Sequence, residues 1–461
     1  FKQKTAYEML RSLVGSEMCI RDRVFNDQPL RPGREPSFFQ FDNYARTFAR
    51  IVAATTTRTP LTIGINGDWG SGKTTLMRAL RACLDETPNR KKKPCFLGPG
   101  EAWPDDANFR PVRTVWFNAW KYSREEALFV AMVEEVLREM RRDGTLSRLY
   151  AALSDPKQPR LQVPEAVLST ITQVFSLGKI DLDLTRFESE SRFKANLAFL
   201  DEFMDVFDHL IRWWVYRDPQ KSDAVEQELD DRRGALAIFI DDLDRCLPEK
   251  TVQVLESIKL MMDHPGVVFV IGASRRVVQA AVAAHYRTFE ELKGESARYL
   301  DKIIQLPFDL PPLQAEGAQS LGDFLGGLQV GGRNLKETNP SLVESLRLLT
   351  RGGETNPRRI KTFVNYAELQ WALLTNGDQA QEANQDHFNR WLALTEAGGE
   401  RFRAWLEQLP ERERPARIRQ GIDYARRARG EAGGEEPEQP AVDPKLRALI
   451  DDNRRLRGVL E

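Results

Sequence analysis

The sequence has few of the features that identify disulfide-rich, metal-binding, membrane-spanning or highly charged proteins. It contains four cysteines and four histidines in 461 residues, and no two cysteines form a C-x-x-C pair, so neither a zinc site nor a disulfide framework is indicated. The 67 basic and 68 acidic side chains nearly cancel, which gives no overall attraction to nucleic acid or to an anionic membrane. The longest apolar runs are only strand-sized. These absences predict a soluble protein of a reducing cytoplasm, with no transmembrane segment.

The first 23 residues, "FKQKTAYEMLRSLVGSEMCIRDR", have no apolar core and no small-residue cleavage site, so they do not have the layout of a signal peptide. The stretch resembles a translated sequencing-library adapter. We therefore leave residues 1–23 out of the fold argument; the alternative is an amphipathic leader helix.

After Val24, short apolar runs alternate with stretches of helical periodicity. The later apolar runs are continuous, which is typical of strands buried on both faces of a parallel sheet. This alternation predicts a doubly wound α/β fold with right-handed crossovers, whose ligands bind at the carboxyl ends of the strands. The predicted strands are 61–66, 113–120, 235–241, 266–273 and 302–308.

Strand signals stop at about residue 315, and helical periodicity continues from there. The amphipathic helix at the end of the chain is predicted to dock either on the body of the protein or on a partner. The predicted layout is an NTPase-like core at 24–314 with a helical insertion at about 124–230, a helical lid and extension at 315–428, a Gly-, Pro- and Glu-rich flexible linker at 429–444, and the amphipathic helix at 445–461.

The stretch "GINGDWGSGKTT" at 64–75 joins a predicted strand to a predicted helix and has the spacing of a phosphate-binding loop. Glycines let the backbone N–H groups approach a phosphate, and the helix N-terminus adds partial positive charge. Lys73 is predicted to bridge the β- and γ-phosphates, and the Thr74 hydroxyl to bind Mg²⁺. The predicted nucleotide-binding residues are Gly67, Asp68, Trp69, Gly70, Ser71, Gly72, Lys73, Thr74 and Thr75.

A second motif, "LAIFIDDLDR", ends a predicted strand in carboxylates. Asp241 is predicted to bind Mg²⁺, and Asp242 has the position of the acid that deprotonates the attacking water in related ATPases. Asp244 is either a third functional carboxylate or a solvated loop residue. No Asn-Lys-x-Asp motif for guanine occurs in the chain, which favours ATP over GTP.

Six motifs in one order resemble the KAP family of P-loop NTPases, over residues from about 24 to about 370. The resemblance implies an ATPase with a parallel sheet of strand order 5-1-4-3-2. Many members carry transmembrane helices between the two nucleotide motifs, and this chain has no membrane-length run there. The motifs are "GDWGSGKTTLM", "VWFNAWKY", "IFIDDLDRCLPEK", "DHPGVVFVIGASR", "YLDKIIQLPFDLPPL" and "NPRRIKTFVN".

The resemblance also implies further site residues. Asn118 would face the γ-phosphate, with a satisfied turn asparagine as the alternative. Arg275 follows Ser274, where the family usually has an acid, and would sense the γ-phosphate. Arg358 of "NPRR" would reach the nucleotide from the lid. Arg298 has roughly the place of the arginine finger in oligomeric relatives, with a surface or helix-capping arginine as the alternative.

These motifs together predict an ATP-binding and ATP-hydrolysing conformational switch that uses Mg²⁺, in signalling or phage defence by analogy with the family. The alternative is an ATP-regulated scaffold with little basal turnover, acting through a homo-oligomer or another protein partner. A translocase on nucleic acid is a third hypothesis, for which the sequence offers no basic surface interleaved with aromatic residues.

Overall fold

The computed structural model divides the chain between Leu310 and Pro311 into two units, and each is described by itself. The predicted segment 1–23, most of the predicted insertion at 124–230 and most of the predicted linker lie outside the described residues. The described residues are 41–85, 108–123, 128–145, 214–215, 234–261, 264–285, 296–312, 324–325, 328–330, 333–351, 353, 356–375, 384–428 and 442–460.

The first unit is built on a five-stranded parallel sheet. Its order is β2-β3-β4-β1-β5, which read from the other edge is 5-1-4-3-2, so the strand order implied by the family resemblance is confirmed. The strands are β1 (Leu61–Asn66), β2 (Val112–Asn118), β3 (Ala235–Asp241), β4 (Val267–Ala273) and β5 (Leu306–Asp309).

Burial along each strand follows its place in the sheet. Every residue of β3 and β4 is buried, as their continuous apolar sequences predict for central parallel strands. In β5, half-buried residues alternate with exposed ones, because β5 lies at the sheet edge. The predicted strand at 302–308 is wrong at its start: Lys302 and Ile303 complete a helix, and the strand begins at Leu306.

Helices cover both faces of this sheet. Leu236, Ile238 and Ile240 belong to a buried cluster that also contains residues of helices on one face, and the alternate residues of β3 point to the opposite face, where two other helices pack. The helices of the unit are α1 (Phe41–Ala53), α2 (Lys73–Asp85), α3 (Leu128–Arg142), α4 (Pro248–Met261), α5 (Arg275–His285) and α6 (Ser296–Ile303), of which α1 and α2 form that second layer.

The second unit is mostly helical, as the sequence predicts, but it also contains a short antiparallel hairpin, β6 (Gln329–Val330) with β7 (Arg333–Asn334). The prediction that strands end before residue 315 is therefore wrong. Two residues per strand are too few to show a period of two in the sequence. The helices are α7 (Leu335–Thr338), α8 (Pro340–Arg351), α9 (Pro357–Thr375), α10 (Gln385–Glu407), α11 (Arg414–Ala428), α12 (Pro444–Asp452) and α13 (Arg454–Leu460).

The predicted terminal helix is two helices, because Asn453 separates α12 from α13. Its side-chain oxygen accepts from the backbone N–H groups of Arg455 and Leu456, while its Nδ2 donates to the carbonyl of Ala397, 2.9 Å away. Both helices pack on their own unit, and the predicted apolar face is buried there. The sequence left open whether this segment docks on the body of the protein or on a partner, and in the structure it packs on the body.

Cysteine pairing differs from the sequence prediction. Cys83 on α2 is disulfide-bonded, and Cys246 is free. The expectation that no disulfide framework is encoded rested on the absence of closely spaced pairs. A disulfide needs two thiols close in space rather than in sequence, which is why spacing missed this one.

Candidate nucleotide-binding site

The loop between β1 and α2 has a backbone that only glycine adopts without strain at two positions. Gly70 and Gly72 have φ angles of 84° and 103°, in the left-handed region. A Cβ at Gly72 would also stand 2.8 Å from the ring of Phe41. The loop closes with a hydrogen bond from the Ser71 N–H to the Asp68 carbonyl, 3.1 Å away. The first N–H groups of α2 therefore open onto a narrow backbone cradle.

Lys73 begins α2, and its buried ammonium group has three acceptors around it. Its Nζ donates to the carbonyl oxygens of Gly67 at 3.0 Å and Asp68 at 3.2 Å, and it lies 3.4 Å from Asp244 Oδ2. An ammonium has three donors. A phosphate that binds Lys73 must consequently replace or share one of these three contacts.

Thr74 and Asp241 meet although 167 positions separate them in sequence. The Thr74 hydroxyl donates to Asp241 Oδ1 at 3.1 Å, and the Asp242 N–H donates to the same oxygen at 3.0 Å. Burial raises the pKa of Asp241 to about 6, helped by the negative charge of Asp242 and opposed by the Thr74 hydrogen bond. A cation beside this carboxylate would offset the cost of burying its charge.

Asp242 turns the chain sharply at the end of β3. Its backbone is left-handed, with φ 59° and ψ 27°, a conformation that aspartate tolerates better than most residues. Because β2 and β3 pair in register, with Asn118 opposite Asp241, the Asn118 Nδ2 donates to Asp242 Oδ2 at 2.8 Å. Arg245 Nε lies 3.0 Å from the other oxygen.

Asp244 connects the phosphate-binding loop to β4. Besides its ion pair with Lys73, its Oδ2 accepts the backbone N–H of Ser274 at 2.8 Å. The thiol of neighbouring Cys246 stays protonated at neutral pH, because burial, together with Asp242 and Asp244, raises its pKa to about 11. Asp244 is thus part of the site. Cys246 lacks the thiolate form that a cysteine nucleophile needs at neutral pH.

The residues present fit a nucleotide with Mg²⁺. Ser71 Oγ, inside the loop, is buried and has no hydrogen-bond partner in the structure, so it can donate to a phosphate. The hydroxyl of Thr74 and the carboxylate of Asp241 are the oxygen donors that Mg²⁺ prefers. Over the described residues, no group of three His, Cys, Asp or Glu side chains forms a metal site, so phosphate and water oxygens would supply the other ligands.

Three predicted arginines, Arg275, Arg298 and Arg358, are each described by the element that carries them. Arg275 forms an ion pair with Asp301 of α6, at 2.7 Å, where both side chains are exposed. Arg298 falls in α6, and its side chain lies outside the described residues. Arg358 follows Pro357 at the start of α9 in the second unit, where its N–H donates to the Asn356 side chain.

An open cleft of about 910 Å³ lies beside the loop on the side of β4. It brings two of the predicted loop residues together with the end of β3 and the first turns of α5. The lining residues are Asp68, Trp69, Asp244, Arg245, Ser274, Arg276, Val277, Gln279 and Ala280.

Two residues of this edge are absent from the sequence prediction. Arg245 and Trp120 were not singled out, yet Arg245 contacts Asp242 and lies over the Trp120 ring. The signal for Arg245 is its position three residues after Asp242 in "DDLDR", a spacing that favours an ion pair in a helical turn. Nothing in "FNAWKY" distinguishes Trp120 from a core residue.

Comparison with models of protein families identifies the family of this chain. A model of the KAP family P-loop domain matches residues 41–369, well over half of the chain. The chain belongs to the KAP family of P-loop NTPases. The match includes the phosphate-binding loop, both carboxylate positions and the start of α9, and it begins after the predicted limit of about 24.

One curated relative is the phage T7 exclusion protein of Escherichia coli strain K12. It is 22% identical over 294 residues, which cover 60% of this KAP chain and 34% of the relative. The matched stretch therefore spans about a third of that relative.

Two solved structures are similar with low scores. The Aeropyrum pernix ORC1 protein in complex with DNA has a TM-score of 0.32 and 12% identity, covering 91% of this chain and 85% of its own. The A. pernix ORC2 protein, in ADPNP and ADP complexes, has a TM-score of 0.34 and 14% identity, covering 89% and 78%.

Within the described part of the chain, every helix is either too short or insufficiently apolar to cross a bilayer.

Proposed function

We propose that this KAP protein binds ATP with Mg²⁺ and hydrolyses it to ADP and phosphate. The observation that carries the proposal is the meeting of the two nucleotide motifs, where the Thr74 hydroxyl lies 3.1 Å from Asp241. A hydroxyl at the start of the helix after a glycine loop, beside a carboxylate at the end of a central strand, is the arrangement that holds a metal ion against nucleotide phosphates.

Different residues of the chain would bind the phosphates and the metal ion. Lys73 and the N-terminus of α2 bind the phosphates, exchanging part of the Lys73 contact with Asp244 for phosphate oxygen. Thr74 and Asp241 would hold Mg²⁺, which supplies positive charge to the β- and γ-phosphates when bound.

Asp242 is the group that would accept a proton from the attacking water, whose oxygen then bonds to the γ-phosphorus as ADP leaves. Asn118 and Arg245 each hold one oxygen of this carboxylate. Because each carboxylate oxygen has two lone pairs, both donors leave room for the water proton. Their contacts fix the direction in which the remaining lone pairs point.

We further propose that hydrolysis drives a conformational switch. Arg358 at the start of α9 would contact the nucleotide from the second unit, and Arg275 would exchange Asp301 for the γ-phosphate. Both steps rest on the family resemblance and on the place of each arginine at a helix start.

The test is a pair of variants that separates binding from turnover. Lys73→Ala is expected to lower Mg·ATP affinity by at least an order of magnitude, because it removes the charge in the loop. Asp242→Asn is expected to keep affinity within a few-fold and to reduce phosphate release by about 100-fold or more, the usual contribution of a general base. Asparagine also tolerates the left-handed backbone of this position. Binding is measured by calorimetry and turnover by steady-state phosphate release.

Asp423→Asn, an exposed aspartate on α11, is the matched control and should leave both quantities unchanged. Normal turnover by Asp242→Asn would remove the base assignment. A purified wild-type protein that binds no ATP would end the proposal.

A second proposal concerns the biological role, and the relative named above supports it: we propose that the ATP cycle restricts phage growth. Cells that express the wild-type chain should give fewer phage plaques than cells that express Lys73→Ala at the same protein level. Equal plaque counts across a panel of phages would count against this role while leaving the ATPase proposal intact.

A further inference from the structure

Arg245 contacts two tryptophan side chains that come from different loops. Its Cζ is 5.8 Å from the ring centroid of Trp69 and 5.9 Å from that of Trp120, distances typical of cation–π contacts. Trp69 belongs to the phosphate-binding loop, and Trp120 follows the end of β2. One guanidinium therefore connects the loop to the ends of β2 and β3. We name Trp69, Arg245 and Trp120 the arginine clamp.

The same guanidinium holds the proposed catalytic carboxylate. Arg245 Nε is 3.0 Å from Asp242 Oδ1, and the opposite oxygen accepts from Asn118. Since Asp242 also has a left-handed backbone, its carboxylate is oriented by the turn and by one donor on each oxygen. Arg245 also contacts the phosphate-binding loop, through the Trp69 ring.

The clamp differs from an ordinary surface ion pair. An exposed arginine that pairs with an acid three residues away is usually mobile and contributes little. Here two rings contact the guanidinium, and a lysine lacks the planar group that arginine presents to an aromatic face. The rings are themselves largely exposed, 66% for Trp69 and 55% for Trp120. Their place is therefore not explained by burial in the hydrophobic core.

We propose that Arg245 is a positioning residue that orients the Asp242 carboxylate. The clamp couples this orientation to the conformation of the phosphate-binding loop through Trp69. The proposal rests on the ATPase function proposed above, with Asp242 as the base. It assigns to Trp120 the task of holding Arg245 through a contact made outside the phosphate-binding loop.

The first measurement separates binding from catalysis. Arg245→Gln is expected to reduce kcat by about 10-fold to 100-fold, the scale of a misplaced catalytic group, while the affinity for Mg·ATP stays within threefold. Arg245→Lys keeps the charge and loses the planar group, so its kcat should fall between those of Arg245→Gln and wild type. A matched control is Arg347→Gln on α8. It removes an ion pair of the same spacing, Arg347 to Glu344 at 3.2 Å.

The second measurement tests the clamp through Trp120, which lies outside the binding loop. Trp120→Leu should lower kcat in the wild-type background, and Trp120→Phe, which keeps an aromatic face, should restore most of it. In the Arg245→Gln background, Trp120→Leu should cause no further loss, because Trp120 acts through Arg245. Acrylamide quenching of tryptophan fluorescence should rise in Arg245→Gln, and this readout needs no turnover.

The outcomes keep this proposal apart from the ATPase proposal. If wild type hydrolyses ATP and Asp242→Asn does not, the ATPase function holds; unchanged kcat in Arg245→Gln would then overturn the clamp alone. Additive effects of the Arg245 and Trp120 substitutions would overturn the coupling. Unfolding curves of all variants exclude loss of fold as the cause of reduced kcat.

Discussion

At the scale of single residues, the site depends on a buried carboxyl whose pKa is raised. Asp241 has its pKa raised from 3.8 to about 6, first by burial and then by the charge of Asp242. The folded chain thus binds this proton more tightly than the unfolded chain. The carboxyl therefore favours folding most below about pH 4, and that contribution is lost as the pH rises through about 6. Above this range, the raised pKa of Asp241 lowers the free energy of unfolding by about 3 kcal/mol.

Asp241→Asn removes that charge while keeping an oxygen for the Thr74 hydroxyl and the Asp242 N–H. Without Mg²⁺, the variant should have a larger free energy of unfolding than wild type at pH 7.5, by about 1–3 kcal/mol. This difference should shrink to about a third of its size at pH 4.5, because the folded carboxyl is mostly protonated there. Urea unfolding in a chelating buffer measures it, with Asp423→Asn as the reference. An equal difference at both pH values would show that the charge of Asp241 is not the cause.

Also at the scale of single residues, the sequence predicts candidate site residues best where one motif sets the spacing of several of them. "GSGKTT" and "IFIDD" each predict residues that the structure brings together, because glycine and carboxylate positions in these motifs are set by local backbone geometry. Arg245 and Trp120 were missed since their roles arise only when three loops meet. A tryptophan that contacts an arginine across a loop has no periodicity and no spacing that would distinguish it from a core aromatic residue.

At the scale of elements, the central strands could be predicted and the ends of the sheet could not. Continuous apolar runs mark β3 and β4 because both of their faces are covered. β5 begins four residues later than predicted because Lys302 and Ile303 continue α6. A short run such as Lys302 to Ile304 fits either the end of a helix or the start of a strand, and tertiary packing decides between them.

Register between elements decides the chemistry here, and a single sequence does not reveal it. β2 and β3 pair so that Asn118 lies opposite Asp241, which is what lets Asn118 reach Asp242. A shift of one residue would turn Asn118 to the other face of the sheet. The prediction that Asn118 faces the γ-phosphate came from family resemblance and stays a prediction, whereas the register accounts for the contact of Asn118 with Asp242.

At the scale of the whole molecule, each of the two units has its own buried core. In the first unit, a cluster centred on β3 and β4 includes residues of α3 and α4. In the second unit, one cluster joins α8, α9 and α10, and another joins α10 to the two terminal helices. Units with separate cores are expected to unfold in separate transitions. The proposed switch can therefore be read from how the nucleotide affects each transition.

The two transitions can be assigned with a core substitution. Ile450 is fully buried in the second unit, so Ile450→Ala should destabilise that unit by about 2–5 kcal/mol and lower only its unfolding midpoint in calorimetry. The other transition then belongs to the unit that contains the phosphate-binding loop.

Mg·ATP stabilises whatever contacts it, by about 2.7 kcal/mol at a concentration of 100 times Kd. Since the proposed switch would bring Arg358 to the nucleotide, we expect Mg·ATP to raise both midpoints in wild type. In Arg358→Ala the rise should be confined to the first unit. Arg359→Ala is the control, because Arg359 is the next residue of α9 and its side chain is half exposed near Glu396. A wild-type protein in which Mg·ATP raises only the first midpoint would leave nucleotide binding in place and remove the lid from the mechanism, since a unit without contact to the ligand gains no stability from it.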